Sequence, residues 1–227
     1  MDLVAGRDLD RAQRFAQPAA RHRAAEGEGA AVKSRVSPAE LRRAIGGWAW
    51  FCVTAGGLGH MWPASGTWGS LPPVVLFAGM GWLGAPVWLH VVVQLVLCAM
   101  ASAGCLHHGG KVEAVVGRKD PGVVVVDEVA GMALTLVIAL VGIATIGAPD
   151  ANVWTRAMPI SLMLTTAALS FFWFRVMDVI KPPPARGLQR VPGGAGVLID
   201  DLVVAPYAAF AVVVSLDMIV RSGPAGG

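Results

Sequence analysis

Between Arg43 and Lys111 the chain has no Lys, Arg, Asp or Glu. Charge is scarce elsewhere too: 129–149, 157–174 and 202–216 carry none, and charged residues make up 15% of the 227 positions. Soluble domains average ~25%, so the deficit argues against a water-soluble globule, as does a mean hydropathy of +0.61. Cysteine is almost missing. Cys52, Cys98 and Cys105 are odd in number and lack CxxC spacing, which argues against a disulfide framework or zinc site. None opens a C-x5-R phosphatase loop, and each reads as a small apolar packing residue. The five histidines form no HxH or HExxH pattern. The first 43 residues lack the apolar core of a cleaved signal peptide, and no nucleic-acid partner is expected.

What the chain does have is long apolar runs. A bilayer core takes ~20 largely apolar helical residues to cross. The uncharged stretch 71–106 suits two crossings, 71–84 and 87–106, because Gly84-Ala85-Pro86 supplies a break. Residues 129–148 and 157–176 form a second pair around the polar turn Ala148-Pro149-Asp150-Ala151-Asn152, and 202–220 a fifth span. The expected fold is all-α, a multi-pass helical membrane protein of about five spans. Segment 44–62 is apolar but rich in glycine (Gly46, Gly47, Gly56, Gly57, Gly59), a poor spanning helix. It is expected to be partly buried or re-entrant.

Three parts follow: a basic, disordered cytoplasmic tail at 1–43, a membrane domain at 44–220 and a short tail at 221–227. The first holds nine Lys/Arg against six Asp/Glu. Segments 107–128 and 175–201 hold three and four Lys/Arg. Basic residues near span ends face the cytoplasm, so these segments are expected inside and the C-terminus outside.

Carboxylates cluster at the edges of this apolar chain: Asp127-Glu128, Asp178 and Asp200-Asp201, with Arg175, Lys181, Arg186 and Arg190 nearby. Charge in a membrane costs at least ~2.5–3.5 kcal/mol at the bilayer centre, so such groups mark sites of binding, transfer or conduction. Asp127-Glu128 precede the helix expected from Val129, where capping and the helix dipole offer a plain structural account; Gly131 would let another helix come close. Arg175, Asp178 and Lys181 recur every three residues and could pair along a helix. Pro182-Pro183-Pro184 then holds the Lys181 amine at the membrane edge, where it suits a phosphate. The glycines of Gly193-Gly194-Ala195-Gly196 could form an anion-binding nest or a plain turn. Adjacent Asp200 and Asp201 repel unless a cation, such as hard Mg²⁺, lies between carboxylate and phosphate oxygens. Thr67 could bind phosphate or cap a helix, and Ser70 reads as the cap of a helix from Leu71.

Three blocks carry a family resemblance. They are Ser65-Gly66-Thr67-Trp68-Gly69-Ser70, then Val126-Asp127-Glu128-Val129-Ala130-Gly131-Met132, and the stretch Phe174 to Asp201. In order and spacing the chain resembles the phosphatidylglycerophosphatase A family over about 44–220. Ser65 stands where the family usually has proline, and Gln189 where an acidic residue often precedes the arginine. The resemblance implies Mg²⁺-dependent removal of the terminal phosphate of phosphatidylglycerol phosphate, a substrate within the bilayer, to give phosphatidylglycerol. It places the enzyme among the lipids of the bacterial inner membrane with its site on the cytoplasmic side. It implies Asp127, Glu128, Asp178, Asp200 and Asp201 as catalytic carboxylates, with Asp127, Glu128, Asp200 and Asp201 on the metal. Arg175, Lys181 and Arg186 become phosphate binders, with Thr67 in support.

Two competitors remain. A histidine-nucleophile lipid phosphatase is suggested only by Lys111 and Arg118 at K-x6-R spacing, and its P-S-G-H partner is missing. A divalent-cation transporter or channel would also place carboxylates along a membrane path.

Overall fold

In the computed structural model, residues 36–146, 151–188, 191 and 193–222 are described, and all but Val36 belong to a compact unit beginning at Ser37. Most of the expected tail, 1–35, lies outside the described residues, as do 147–150 of the second turn, Gln189, Arg190 and 223–227. Among the described residues every regular element is helical.

Two short helices come first, α1 (Pro38–Ile45) and α2 (Gly47–Val53). Ser37 caps α1 in a reciprocal capping box with Glu40, and Pro38 opens the helix, a strong local start signal. Seven or eight residues rise only about 12 Å, so neither helix crosses a bilayer. A 3-10 turn, Leu58–His60, follows.

The bundle is built from α3 (Ser65–Trp82), α4 (Val87–Val116), α5 (Val126–Ile146), α6 (Ile160–Ile180) and α8 (Gly194–Ser222), with a single turn α7 (Ala185–Leu188) before the last. Four of these, α4, α5, α6 and α8, are both long and apolar enough to span. The other expected span, 71–84, falls largely within α3, whose 18 residues include Pro72 and Pro73. These prolines lack the N–H groups that would continue the ladder. From α4, Gln94 Nε2 donates to the Pro73 carbonyl at 2.9 Å, and His90 packs edge-on against Phe77.

Several boundaries differ from expectation for one reason: helices do not stop where lipid does. α4 continues ten residues past 106 to Val116, carrying Lys111 and Glu113, and ends on Gly117 at φ 67°, a left-handed C-terminal stop. α3 begins at Ser65, not near Leu71. Ser70 therefore lies inside the helix, donating its hydroxyl to the Gly66 carbonyl at 2.9 Å, and caps nothing.

α5 is the central rod. Thirteen of its 21 residues are buried, and it packs against α3, α4, α6 and α8. The core threads all five long helices through Phe77, Val87, Leu136, Met163, Phe174 and Val204. Successive long helices alternate in direction, so the start of α3, end of α4, start of α5, end of α6 and start of α8 share one end of the bundle. Close backbone approaches confirm it. A Cβ on Gly194 of α8 would strike the Cys105 carbonyl of α4, and one on Gly109 would lie 3.0 Å from Gly194 Cα.

Candidate active site

At that end, α5 begins at Val126, with the Val125 carbonyl accepting from the Val129 N–H. Asp127 and Glu128 thus occupy the first helical turn instead of preceding the helix. The macrodipole favours carboxylates there, which explains a charge near this terminus but not a buried Asp127 beside a half-buried Glu128. Asp201, in the second turn of α8, meets them: one carboxylate oxygen from each of Asp127, Glu128 and Asp201 lies within 4.8 Å of the others. Asp127 is 5% exposed and Asp201 2%. Asp127 Oδ1, Glu128 Oε2 and Asp201 Oδ2 are buried with no hydrogen-bond partner among the described atoms.

Two glycines set this closeness. A Cβ on Gly66, in the first turn of α3, would collide with Glu128 Oε1 and lie 3.0 Å from Arg175 Nη1. A Cβ on Gly131 would lie 2.8 Å from the Phe174 ring and 3.0 Å from Asp201 Cβ. Close approach was expected at Gly131. Gly194 serves helix packing, since a side chain there would strike the Cys105 carbonyl, and Gly196 lets the preceding loop come close, since one there would strike the Val191 carbonyl.

The cations come from the C-terminal end of α6, Arg175 within it and Lys181 just past it. Arg175 Nη1 pairs with Asp178 Oδ2 at 2.9 Å. Lys181 closes the helix at φ 49°, and its Nζ reaches Asp200 Oδ2 at 2.5 Å and Asp178 Oδ1 at 3.6 Å. Burial alone would lower the Lys181 pKa, but the hydrogen bond to Asp200 and the charges of Asp200, Asp201 and Asp178 raise it above the ordinary lysine value. The amine is thus held by carboxylates. Asp200, 2% exposed, stands on the Lys181 side of the cluster. Thr67 is half-buried in the first turn of α3. Arg186 is exposed, donating from Nη2 to the Ile180 carbonyl at 2.9 Å across the end of α6.

One neighbouring carboxylate escapes sequence reading. Asp120 sits in the loop before α5 at φ 47°, and its backbone N–H donates to Glu113 Oε1 at 3.3 Å. The residue as a whole is exposed, yet its carboxyl is partly enclosed. That desolvation, opposed by Lys181 and reinforced by Asp200 and Asp178, raises its pKa above the usual aspartate value. Its one sequence signal, Asp120-Pro121-Gly122, reads simply as a turn. The loop is fastened by Ser65 Oγ donating to Gly122 O at 2.5 Å and Val125 N donating to Val53 O at 2.9 Å.

A family profile described as Phosphatidylglycerophosphatase A matches residues 51–216, most of the bundle and all of this cluster. The chain belongs to the phosphatidylglycerophosphatase A family. A curated relative, Phosphatidylglycerophosphatase A of Haemophilus influenzae, is 31% identical over 158 residues, covering 69% of this chain and 81% of the relative. No solved structure matches the chain. Membership of the phosphatidylglycerophosphatase A family makes this enzyme a phosphomonoester hydrolase. It also separates the matched bundle from α1 and the first four residues of α2, which precede the matched stretch.

Proposed function

We propose that this enzyme hydrolyses the terminal phosphomonoester of phosphatidylglycerol phosphate to phosphatidylglycerol, with Mg²⁺, at the cytoplasmic face of a bacterial inner membrane. The observation that carries the reading is the convergence of Asp127, Glu128 and Asp201, with paired cations on α6 alongside. Three carboxylates this close repel one another unless positive charge offsets them. Their unpartnered oxygens form a hard, all-oxygen donor set, the type that suits Mg²⁺. Asp127, Glu128 and Asp201 would hold the ion, with Asp200 next to them. Bound there, Mg²⁺ would supply Lewis acidity toward a phosphoryl oxygen and a more acidic water.

The chain's own side chains do the rest. Phosphoryl transfer depends chiefly on alignment and on stabilising charge at the equatorial oxygens. Arg175 and Lys181 stand beside the carboxylates for that role, with Arg186 at the rim and Thr67 on the α3 side. Asp178 and Asp200 hold Arg175 and Lys181 in place, so the phosphate meets cations already oriented. Confinement of the cluster to one end of the helices supports an interfacial lipid-headgroup site over an ion path. Asp217, at the other end of α8, is paired with Arg221 at 2.8 Å.

The test is phosphate release from phosphatidylglycerol phosphate by enzyme reconstituted in nanodiscs. Chelation is expected to abolish turnover and added Mg²⁺ to restore it. Full activity in chelator would overturn the metal assignment, and cation uptake into vesicles without hydrolysis would favour the transporter.

A further inference from the structure

The two short helices ahead of the bundle hold an arrangement that hydrolysis does not use. α1 ends with Arg42 and Arg43, both exposed. Gly46, at φ 89°, turns the chain so that the Arg42 guanidinium stands 5.8 Å from the centre of the Trp50 ring. Trp50 is itself fixed: Nε1 donates to His60 Nε2 at 3.1 Å, and the two rings stack. Between α1 and α2 lies a hollow of about 600 Å³ lined by Pro38, Ala39, Arg42, Arg43, Gly47 and Trp50. The same leading segment exposes large apolar side chains, Trp48 73%, Phe51 55% and Trp62 85%.

We infer that this hollow seats the phosphate headgroup of an anionic phospholipid, with Arg42 and Arg43 on the phosphate and Trp48, Phe51 and Trp62 at the headgroup–acyl boundary. Arginine's planar fork matches phosphate oxygens, and tryptophan collects at membrane interfaces. The volume lies in the range of small-molecule sites. Glu40, the acidic residue on α1, accepts from the Ser37 N–H at 2.8 Å in the capping box and so is turned to the helix start.

Position adds the second argument. A Cβ on Gly59 would strike the Val123 carbonyl, and Val53 accepts from Val125. The segment is therefore clamped to the loop leading into Asp127, at the site end of the bundle. A short basic-ended helix followed by a short aromatic one, placed there, suits the plane of the interface. The inference rests on the proposed membrane placement of the site but not on the hydrolysis itself. Every residue lining the hollow precedes the stretch matched by the family profile, 51–216, so the seat belongs to this chain's own leading segment.

The experiment is native mass spectrometry of the full chain released from phosphatidylcholine nanodiscs doped with phosphatidylserine, an anionic lipid that is neither proposed substrate nor product. The wild type is expected to retain phosphatidylserine over phosphatidylcholine. Arg42→Gln/Arg43→Gln should cut that preference by about tenfold or more, since charge-assisted hydrogen bonds contribute ~1.5–3 kcal/mol and each 1.4 kcal/mol is tenfold. Trp48→Ala/Phe51→Ala should weaken retention of long-chain lipid but not competition by a soluble short-chain phosphatidylserine. Equal retention of the two lipids, or a preference untouched by the arginine changes, overturns the seat. Displacement by inorganic phosphate alone would make it a free-anion site and end the lipid assignment. Hydrolysis of a short-chain micellar substrate should be unchanged in the arginine variant. Failure of the phosphatase reading would therefore show as absent hydrolysis with lipid retention intact.

Discussion

Gly66 and Gly79 lie on the same helix, α3, and only one of them is hemmed in. A methyl group at 66 would collide with Glu128 Oε1, whereas at 79 it meets nothing within 4 Å. Gly66→Ala is expected to displace Glu128 and Arg175 and to cut phosphate release by about tenfold or more, the scale on which displaced supporting groups act. Gly79→Ala should leave activity intact and stabilise α3 by up to about 1 kcal/mol; thermal unfolding in nanodiscs checks both. Asp127→Asn and Asp201→Asn keep the shape but remove charge, and each should lower turnover by about 10² or more in protein that still inserts. Near-normal rates in both purified variants would sink the carboxylate assignment. Lys181 sets a pH expectation. Its folded pKa is raised, so the stability it adds is fully present below the unfolded value of about 10.4 and is lost only as pH climbs through the higher folded one. Replacing Lys181 with Gln should therefore lower melting temperature at about pH 8, where the amine is fully charged. An unchanged melting temperature there would contradict it.

At the scale of elements, the junction of α4 with α8 controls where Asp200 and Asp201 stand. Gly194 approaches the Cys105 carbonyl and Gly109 so closely that no side chain fits, and Cys105 Sγ donates to Gly194 O at 3.4 Å. Gly194→Ala should push the first turn of α8 outward, carrying Asp201 away from Asp127. Activity is expected to fall by about tenfold or more even if insertion is unaffected. Gly117→Ala is the contrast: nothing lies within 4 Å, but φ is 67°. Its effect should be strain at the end of α4 of roughly 1 kcal/mol, read in stability and not in turnover.

For the molecule as a whole, alternation of the long helices makes sidedness testable. An impermeant thiol reagent should reach a cysteine placed at Lys119 from the cytoplasmic side and one at Arg221 from the opposite side. Modification of both from one side would refute the arrangement. Much of the helical bundle was readable in advance. Uncharged runs marked the apolar helices because lipid excludes charge, and Asp127, Glu128 and Asp201 stood out because carboxylates are costly there. What pattern could not carry was tertiary. Polar residues past 106 still prolong α4, since helix geometry persists in water, and Ser65 starts α3 six residues before the apolar run. Helix geometry points adjacent Asp200 and Asp201 in different directions, but only the packing decides that Lys181 meets Asp200 and Asp127 meets Asp201. The close contacts that Gly66 and Gly194 permit depend on neighbours about 60 and 90 positions away in the chain.

Central placement of α5 has one more consequence. The rod bearing Asp127 and Glu128 is jacketed by its neighbours, so a thicker or thinner bilayer acts first on the outer helices, through their tilt. Adaptation to a change of lipid chain length can then be absorbed at the periphery while the chemistry stays on a strut that scarcely touches fat.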